Sequence, residues 1–432
     1  MPCPSPIIYN LFPPLAGAIP DWLAHLPRIA RMGFDWLYLN PIHSPGFSGS
    51  LYAVKDYFAL NPLFIKGVED DPFGALSNFC QQAKTQGLSI MLDLVLNHTA
   101  SDAVLVEEHP EWFARNPDGS LKHPSCINPA DATQVTVWGD LAELEFWPPP
   151  DPEGLLQYFL RVIRFYLDKG MRGFRCDAAY KVPGTFWARL IQETRRLEPN
   201  VCFVAETLGC RLPEIKQLQH AGFDLLYNSS KWWDFQAPWC LEQYRANRKI
   251  APSISFPETH DTARLITEVG GNVALVRQAY IFAAFFSAGL LMPMGFEYGL
   301  PKKLHVIATR PDDWAEKQYD LTDFITQVNL MKRACPVLQE EGPIHRLSKA
   351  GKPVVLLRKT GDRQPGIVLA VINATLLPQN RVTLHLRKLL GKPAGPIQEI
   401  TPDAAPWPLS DVLQLDLEPA AIRLFASKGG NN

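Results

Sequence analysis

Arg175 and Asp177 sit two residues apart in the stretch Gly170-Met-Arg-Gly-Phe-Arg-Cys-Asp-Ala-Ala-Tyr180. An apolar, helix-like run from Leu155 to Leu167 feeds into it, and Gly170 breaks that helix before a short strand. On a strand, side chains at i and i+2 point the same way. A cation beside a carboxylate keeps it ionised, which a carboxylate nucleophile requires. A structural ion pair at a strand end has the same signature, so the pair alone decides nothing. Further polar residues follow other apolar runs: Tyr52, Asn97 with His98, Glu206, and His260 with Asp261. Taken singly, each reads as a loop or helix cap. Taken together, at the ends of different strands, they describe the rim where a parallel barrel carries its chemistry.

Three acids on one rim suit glycoside cleavage. One carboxylate attacks the anomeric carbon and a second carboxyl protonates the leaving oxygen, about 5 Å apart in a retaining enzyme. Adjacent strands lie about 4.8 Å apart, so neighbouring strand ends supply that spacing. Asp177, beside Arg175, is expected to stay ionised and act as nucleophile. Glu206 follows Phe203-Val-Ala205, an apolar setting expected to raise its pKa and fit it as acid/base. Asp261 is then expected to bind sugar hydroxyls and favour the distorted ring.

The elements that must position these residues alternate. Strands are expected at Ile7–Tyr9, Phe34–Leu39 and Ser89–Leu94, then after Gly170 in a short strand ending in Arg175 and Asp177, and at Cys202–Ala205, Phe223–Leu226, Ser253–Phe256 and Leu290–Met292. Helical periodicity falls between them. It includes a helix capped by Asp21 with Trp22, Leu26, Ile29 and Ala30 on its apolar face, one over Phe73–Thr85, and one over Leu212–His220. The pattern is α/β, a (β/α)8 TIM barrel of residues 1–98 and 153–336. Residues 99–152, rich in Pro, Asp and Trp, read as an irregular insertion after the third strand. Residues 337–428 read as a C-terminal antiparallel β domain, with strands at Val354–Arg358, Gly366–Asn373, Arg381–Leu386 and Val412–Leu417. The final Lys428-Gly-Gly-Asn-Asn432 is expected to fray.

A chain of 432 residues is long for one core and fits a barrel plus a smaller domain. The net charge of −2 gives no reason to expect nucleic acid or an anionic membrane as partner. Its 11 Trp, 12 Tyr and 23 Phe suit a neutral ligand with flat apolar faces, such as a sugar, and equally a large core. Cysteines at 3, 80, 126, 176, 202, 210, 240 and 335 show no CxxC spacing. They read as reduced thiols, and with no signal peptide in Met1-Pro-Cys-Pro-Ser-Pro6 the expected compartment is the cytoplasm. Ala279–Phe296 has nearly the length and apolarity of a membrane span, but Ser287, Gly289 and Pro293 interrupt it. A buried helix running into a buried strand is expected there. The sequence leaves the oligomeric state open.

The motifs Asp93-Leu-Val-Leu-Asn97-His98, Gly173-Phe-Arg-Cys-Asp177, Val204-Ala-Glu-Thr207 and Thr259-His-Asp261 occur in this order, and Leu290–Gly299 follows them. In this the chain resembles the α-amylase family, glycoside hydrolase family 13, over nearly its whole length. The resemblance implies Asp177 as nucleophile, Glu206 as acid/base and Asp261 as transition-state stabiliser. It implies His98, Arg175 and His260 as ligands of the sugar at the cleavage point, with Tyr52 stacked beneath it. A closer likeness is to the maltosyltransferases of that family that use maltose 1-phosphate. It is carried by His109–Gly119, by Lys181-Val-Pro183 through Phe186-Trp187, and by Tyr227–Trp232. Where those enzymes have Asn-Pro-Pro-Lys-Lys-Tyr beside the phosphate, this chain has Asn128-Pro-Ala-Asp-Ala-Thr133, with an acid and no lysine. Ala178 replaces their asparagine after the nucleophile, and their extra N-terminal domain has no counterpart. A carboxylate near phosphate weakens its binding.

A neutral α-glucan or maltooligosaccharide is therefore the expected substrate, cleaved at α-1,4 bonds by a retaining hydrolase. The alternatives are a glycosyltransferring enzyme of the same family and an inactive glycan-binding protein. Tyr180-Lys181 departs from the Lys-His usual in amylases after the nucleophile, and Trp232 and Trp233 are candidates for acceptor subsites. No organic cofactor or certain metal site is expected. The family resemblance leaves room for calcium at Asn97 with Asp131 or Asp140, since calcium takes several oxygen ligands.

Overall fold

Eight short strands form the barrel: β1 (Ile7–Leu11), β2 (Trp36–Leu39), β3 (Ser89–Leu94), β4 (Gly173–Cys176), β5 (Cys202–Ala205), β6 (Leu225–Tyr227), β7 (Ser253–Ser255) and β8 (Gly289–Pro293). They close in sequence order. Every residue of β2, β4 and β5 is buried, the reason β2 and β5 read as unbroken apolar runs rather than alternating ones. The computed structural model describes residues 5–128, 131–314, 317–391, 396–402 and 410–428. The tail expected to fray lies outside these beyond Lys428.

Two compact units share the chain: Ile8–Tyr227 with Lys302–Ala315, and Asn228–Pro301 with Glu316–Asn432. In the first, the register of β3, β4 and β5 sets the candidate site residues side by side. Asp93 pairs with Arg175, and Arg175 with Val204, on parallel neighbours. The helix Pro152–Asp168 leads into β4, its first turn capped by Asp151, which accepts from the Gly154 amide. Gly170 turns the chain at φ 106, and a Cβ there would lie 2.7 Å from Cys80 Cβ, so only glycine fits. The helix Gly184–Leu197 buries Phe186, Trp187, Leu190 and Ile191 between β4 and β5.

Some expected boundaries shift. The helix after β1 starts earlier, as Ile19–Trp22, and continues through a 3-10 turn into Leu26–Arg31. Asp21 caps it from the third position, accepting from the Ala18 amide at 2.9 Å. The helix expected to reach His220 ends at Lys216, and His220 takes a positive φ of 67. Residues 99–152 are less irregular than their composition implied. His98–Ala100 pairs with Leu141–Glu143, and Ser125–Asn128 pairs with Asp131–Val137. His43 is buried edge-on to Tyr57 and Tyr166, and neither ring nitrogen has a hydrogen-bond partner.

The second unit holds the buried helix Val273–Phe286 running into β8, as its apolar run required. No helix among the described residues is long and apolar enough to cross a membrane. Its antiparallel sheet has the strand order Ile344–Arg346, Val354–Thr360, Gly366–Asn373, Ile422–Lys428, Ile397–Glu399. Gln379–His385 pairs with Val412–Leu417 beside it. The strand Ile422–Lys428 was not foreseen, yet it lies next to Gly366–Asn373 along its length. Polar groups are buried where this sheet and the helices meet. Lys332 Nζ donates to the carbonyls of Ala284 (3.0 Å), Ser287 (2.7 Å) and Leu338 (2.6 Å). Lys359 Nζ reaches the carbonyls of Phe285 and Phe286, and burial lowers its pKa to about 8. Glu341 accepts from Ser253 Oγ and from the Ala288 amide.

Candidate active site

Asp177 and Glu206 each follow the last residue of their strand, at equivalent positions of the β4–β5 ladder. The Asp177 amide donates to Leu94 O and the Glu206 amide to Cys176 O, both at 3.0 Å. The ladder spacing thus extends to the two acids. Arg175 Nη1 lies 2.7 Å from Asp177 Oδ1 and 2.9 Å from Asp93 Oδ1. One guanidinium therefore serves two carboxylates. Both Arg175 and Asp93 are buried. Burial pushes the Asp93 carboxyl up; Arg175 first, then hydrogen bonds from Tyr38 and Tyr52, oppose that. Burial also works against the Arg175 charge, but Asp93 and its neighbours outweigh it and hold the guanidinium firmly protonated.

The setting of Glu206 differs from the expected one. It is buried, but its oxygens are met by backbone donors: Ala178 N on Oε2 at 2.9 Å and Leu208 N on Oε1 at 2.8 Å. Ala178, at φ 39, turns its amide onto Glu206, so the residue after one acid orients the other. The loop beyond is anchored by Trp187 Nε1, which donates to Ala179 O at 2.9 Å.

Tyr52 is half-buried, and its hydroxyl donates to Asp93 Oδ2 at 2.7 Å. Asn40 Nδ2 donates to the same hydroxyl at 3.0 Å, and Asn10 Nδ2 to Asn40 Oδ1 at 2.8 Å. The expectation for Tyr52 was a stacking ring; the structure adds a rigid hydroxyl anchor. His98 Nδ1 lies 2.7 Å from Asn97 Oδ1, whereas Nε2 is buried with no hydrogen-bond partner. Burial lowers the His98 pKa, with the charge of Asp177 pulling the other way. A buried imidazole nitrogen left open in this way is ready for a ligand hydroxyl.

His260 and Asp261 belong to the second unit and follow β7. They pair with each other, His260 Nε2 to Asp261 Oδ2 at 3.1 Å; the His260 side chain is buried and that of Asp261 exposed. Nearby, Glu258 and Arg264 form a buried ion pair at 3.0 Å. Of the two tryptophans considered for acceptor binding, Trp233 is buried, packed on Phe235 and Phe282, and Trp232 is about half exposed. Trp233 is thus a core residue. Sequence reasoning used Asp93 only as part of a motif. Its buried position opposite Arg175 could have been read from the charge in the middle of an apolar strand. No group of three or more His, Cys, Asp or Glu among the described residues could hold a metal. The side chain of Asp131, named for calcium, is outside the described residues, as are Pro129 and Ala130.

A closed parallel barrel with an insertion after β3 and an aspartate and a glutamate following β4 and β5 is the fold of the α-amylases. The chain is similar to proteins of the α-amylase family in sequence and in fold. Residues 2–116 match the model of the glucanotransferase domain of glycogen debranching enzyme. An α-1,4-glucan:maltose-1-phosphate maltosyltransferase of Rhodospirillum rubrum is 30% identical over 392 residues, 82% of this chain and 54% of that protein. One from Burkholderia pseudomallei is 26% identical over 362 residues, 82% of this chain and 31% of that protein. The chain therefore spans about half or less of the length of these two curated relatives. An α-amylase from Lactobacillus plantarum superposes with a TM-score of 0.74 over 98% of this chain and 99% of that one, at 22% identity.

Proposed function

We propose that the chain transfers glycosyl units between α-1,4-glucans, through a covalent intermediate on Asp177. The observation that carries this reading is the register that sets Asp177 and Glu206 on adjoining strand ends, with the Ala178 amide held by Glu206. Asp177, oriented by Arg175, attacks the anomeric carbon while Glu206 gives a proton to the departing glucosyl oxygen. Glu206 then takes a proton from the acceptor hydroxyl, which displaces Asp177 and restores the α-linkage. His98 Nε2 and Arg175 bind hydroxyls of the sugar under attack, and Tyr52 packs beneath its ring. The family resemblance that gives Asp177 its role also gives His260 a sugar hydroxyl and Asp261 the flattened, cationic transition state.

Transfer is favoured over the hydrolysis read from sequence because the matching curated relatives are named as maltosyltransferases across most of this chain. The segment Asn128–Thr133, with no lysine, favours a glucan over a sugar phosphate as donor. Incubation with maltoheptaose, with and without inorganic phosphate, tests the reading. Oligosaccharides longer than seven units are expected. Shorter sugars alone would mean that water resolves the intermediate. Maltose 1-phosphate would reverse the choice of donor. Products unchanged in Asp177→Ala and Glu206→Gln would take the chemistry away from these two acids, and no products from the unaltered chain, with maltoheptaose still bound, would leave only a glycan-binding role.

A further inference from the structure

Trp147 is an exposed tryptophan, 61% accessible, held in one orientation by the loop that follows the nucleophile. Its indole Nε1 donates to Lys181 O at 3.4 Å, and its backbone amide donates to Glu145 Oε1 at 2.8 Å. Phe146 before it is buried edge-on against Phe186, at 5.0 Å between ring centroids. Lys181 is tied from its other end too, its Nζ reaching Ser125 O at 3.4 Å. The polar edge of the indole is thus used and its position set, while much of the ring remains open to solvent. An exposed aromatic fixed in this way gives up little freedom when a ligand stacks on it.

Its side of the site follows from the chemistry of Glu206. An acid/base protonates the leaving oxygen, so groups around Glu206 beyond Asp177 border the leaving group and then the acceptor. The loop Ala178–Lys181 is on that side. The Ala178 amide donates to the Glu206 carboxylate, and the Ala179 amide to the Glu206 carbonyl at 3.2 Å. Burial, then the Glu206 charge, push the Tyr180 phenol up. Trp147 is bonded to the end of this same loop.

We propose that Trp147 is a stacking platform for a glucosyl residue of the acceptor chain. The apolar face of an α-linked glucose matches an indole in size, and no charge is needed to bind it. The proposal rests on the glucan-transfer reading above. Calorimetric titration of Asp177→Asn with maltose through maltoheptaose tests it, repeated with Trp147→Ala and Trp147→Phe added. Trp147→Ala is expected to weaken maltoheptaose binding about ten-fold, a loss of ~1.4 kcal/mol, with the deficit growing with chain length. Trp147→Phe is expected to recover part of it, which a purely structural defect would not. In the active enzyme, Trp147→Ala is expected to raise the acceptor KM and shift products from transfer toward hydrolysis. Equal maltoheptaose affinity and an equal transfer-to-hydrolysis ratio in Trp147→Ala would overturn the platform. Failure of Asp177→Asn itself to bind any oligosaccharide, with Trp147 intact, would instead sink the glucan reading and the platform with it.

Discussion

Asp93 and Arg175 face each other as register partners on β3 and β4, with guanidinium and carboxylate 2.9 Å apart. Both are buried, and the same guanidinium holds Asp177. Asp177 is therefore oriented through a carboxylate that it does not touch. Removing Asp93 should free Arg175 to swing toward Asp177 and should leave its buried charge with that one carboxylate. Asp93→Ala is expected to lose about 3–5 kcal/mol of stability, as when one partner of a buried pair is deleted. Denaturant titration checks this, and kcat should fall with it. Wild-type stability in Asp93→Ala would mean that the pair is not what secures β3 to β4.

Tyr52 separates two roles that one ring can play. Tyr52→Phe keeps the ring and deletes the hydroxyl bonded to Asp93 and Asn40. A hydrogen bond to a charged group contributes about 1.5–3 kcal/mol. The expected result is a drop in stability of that order with a modest rise in KM. Tyr52→Ala should raise KM much further, because the face under the sugar is gone. Equal KM in the two variants would dismiss stacking as a function of Tyr52.

The register of β4 and β5 was legible because both strands are short, buried and flanked by turns, so Asp177 and Glu206 could be placed at the ends of adjacent strands, although β4 itself stops at Cys176, one residue before Asp177. The surroundings of Glu206 were not, since its partners are backbone amides of Ala178 and Leu208, and any residue carries an amide. The strand Ile422–Lys428 escaped notice because Arg423 and Ser427 interrupt its apolar run. Its place was set by pairing with Gly366–Asn373 rather than by local pattern. Trp232 and Trp233 look alike in sequence, and only packing against Phe235 and Phe282 tells them apart.

The proton-donor role proposed for Glu206 can be isolated with a leaving group that needs no proton. Glu206→Gln is expected to lower turnover of maltoheptaose by about 10²–10⁴-fold. Formation of the glycosyl-enzyme from α-maltosyl fluoride should suffer far less, and azide, which needs no base, should speed its release. A uniform loss on both substrates, unmoved by azide, would take the acid/base role away from Glu206.

His43 predicts an acid limb of stability unrelated to catalysis. Burial lowers its pKa from 6.5 to about 3. Below pH 6.5 the unfolded chain takes up a proton that the folded chain refuses. Stability is therefore complete above that pH and falls by up to about 1.4 kcal/mol per pH unit as pH drops toward 3. His43→Phe, similar in shape and packed between the same two tyrosine rings, should flatten this part of the curve. An identical slope from pH 6 to 4 in the variant would exclude His43 as its source.

Glu341, Lys332 and Lys359 carry a last consequence for anyone who would trim this chain. Glu341 bonds to Ser253 in β7 and to the amide of Ala288 at the threshold of β8, and the two lysines satisfy carbonyls at the end of the helix before it. A deletion starting near Pro336 would discard Glu341 and Lys359, leaving dry, orphaned dipoles inside the remnant. Two staves of the barrel thus depend on residues made long after them, and a ribosome that stopped early would release a barrel still lacking its seal.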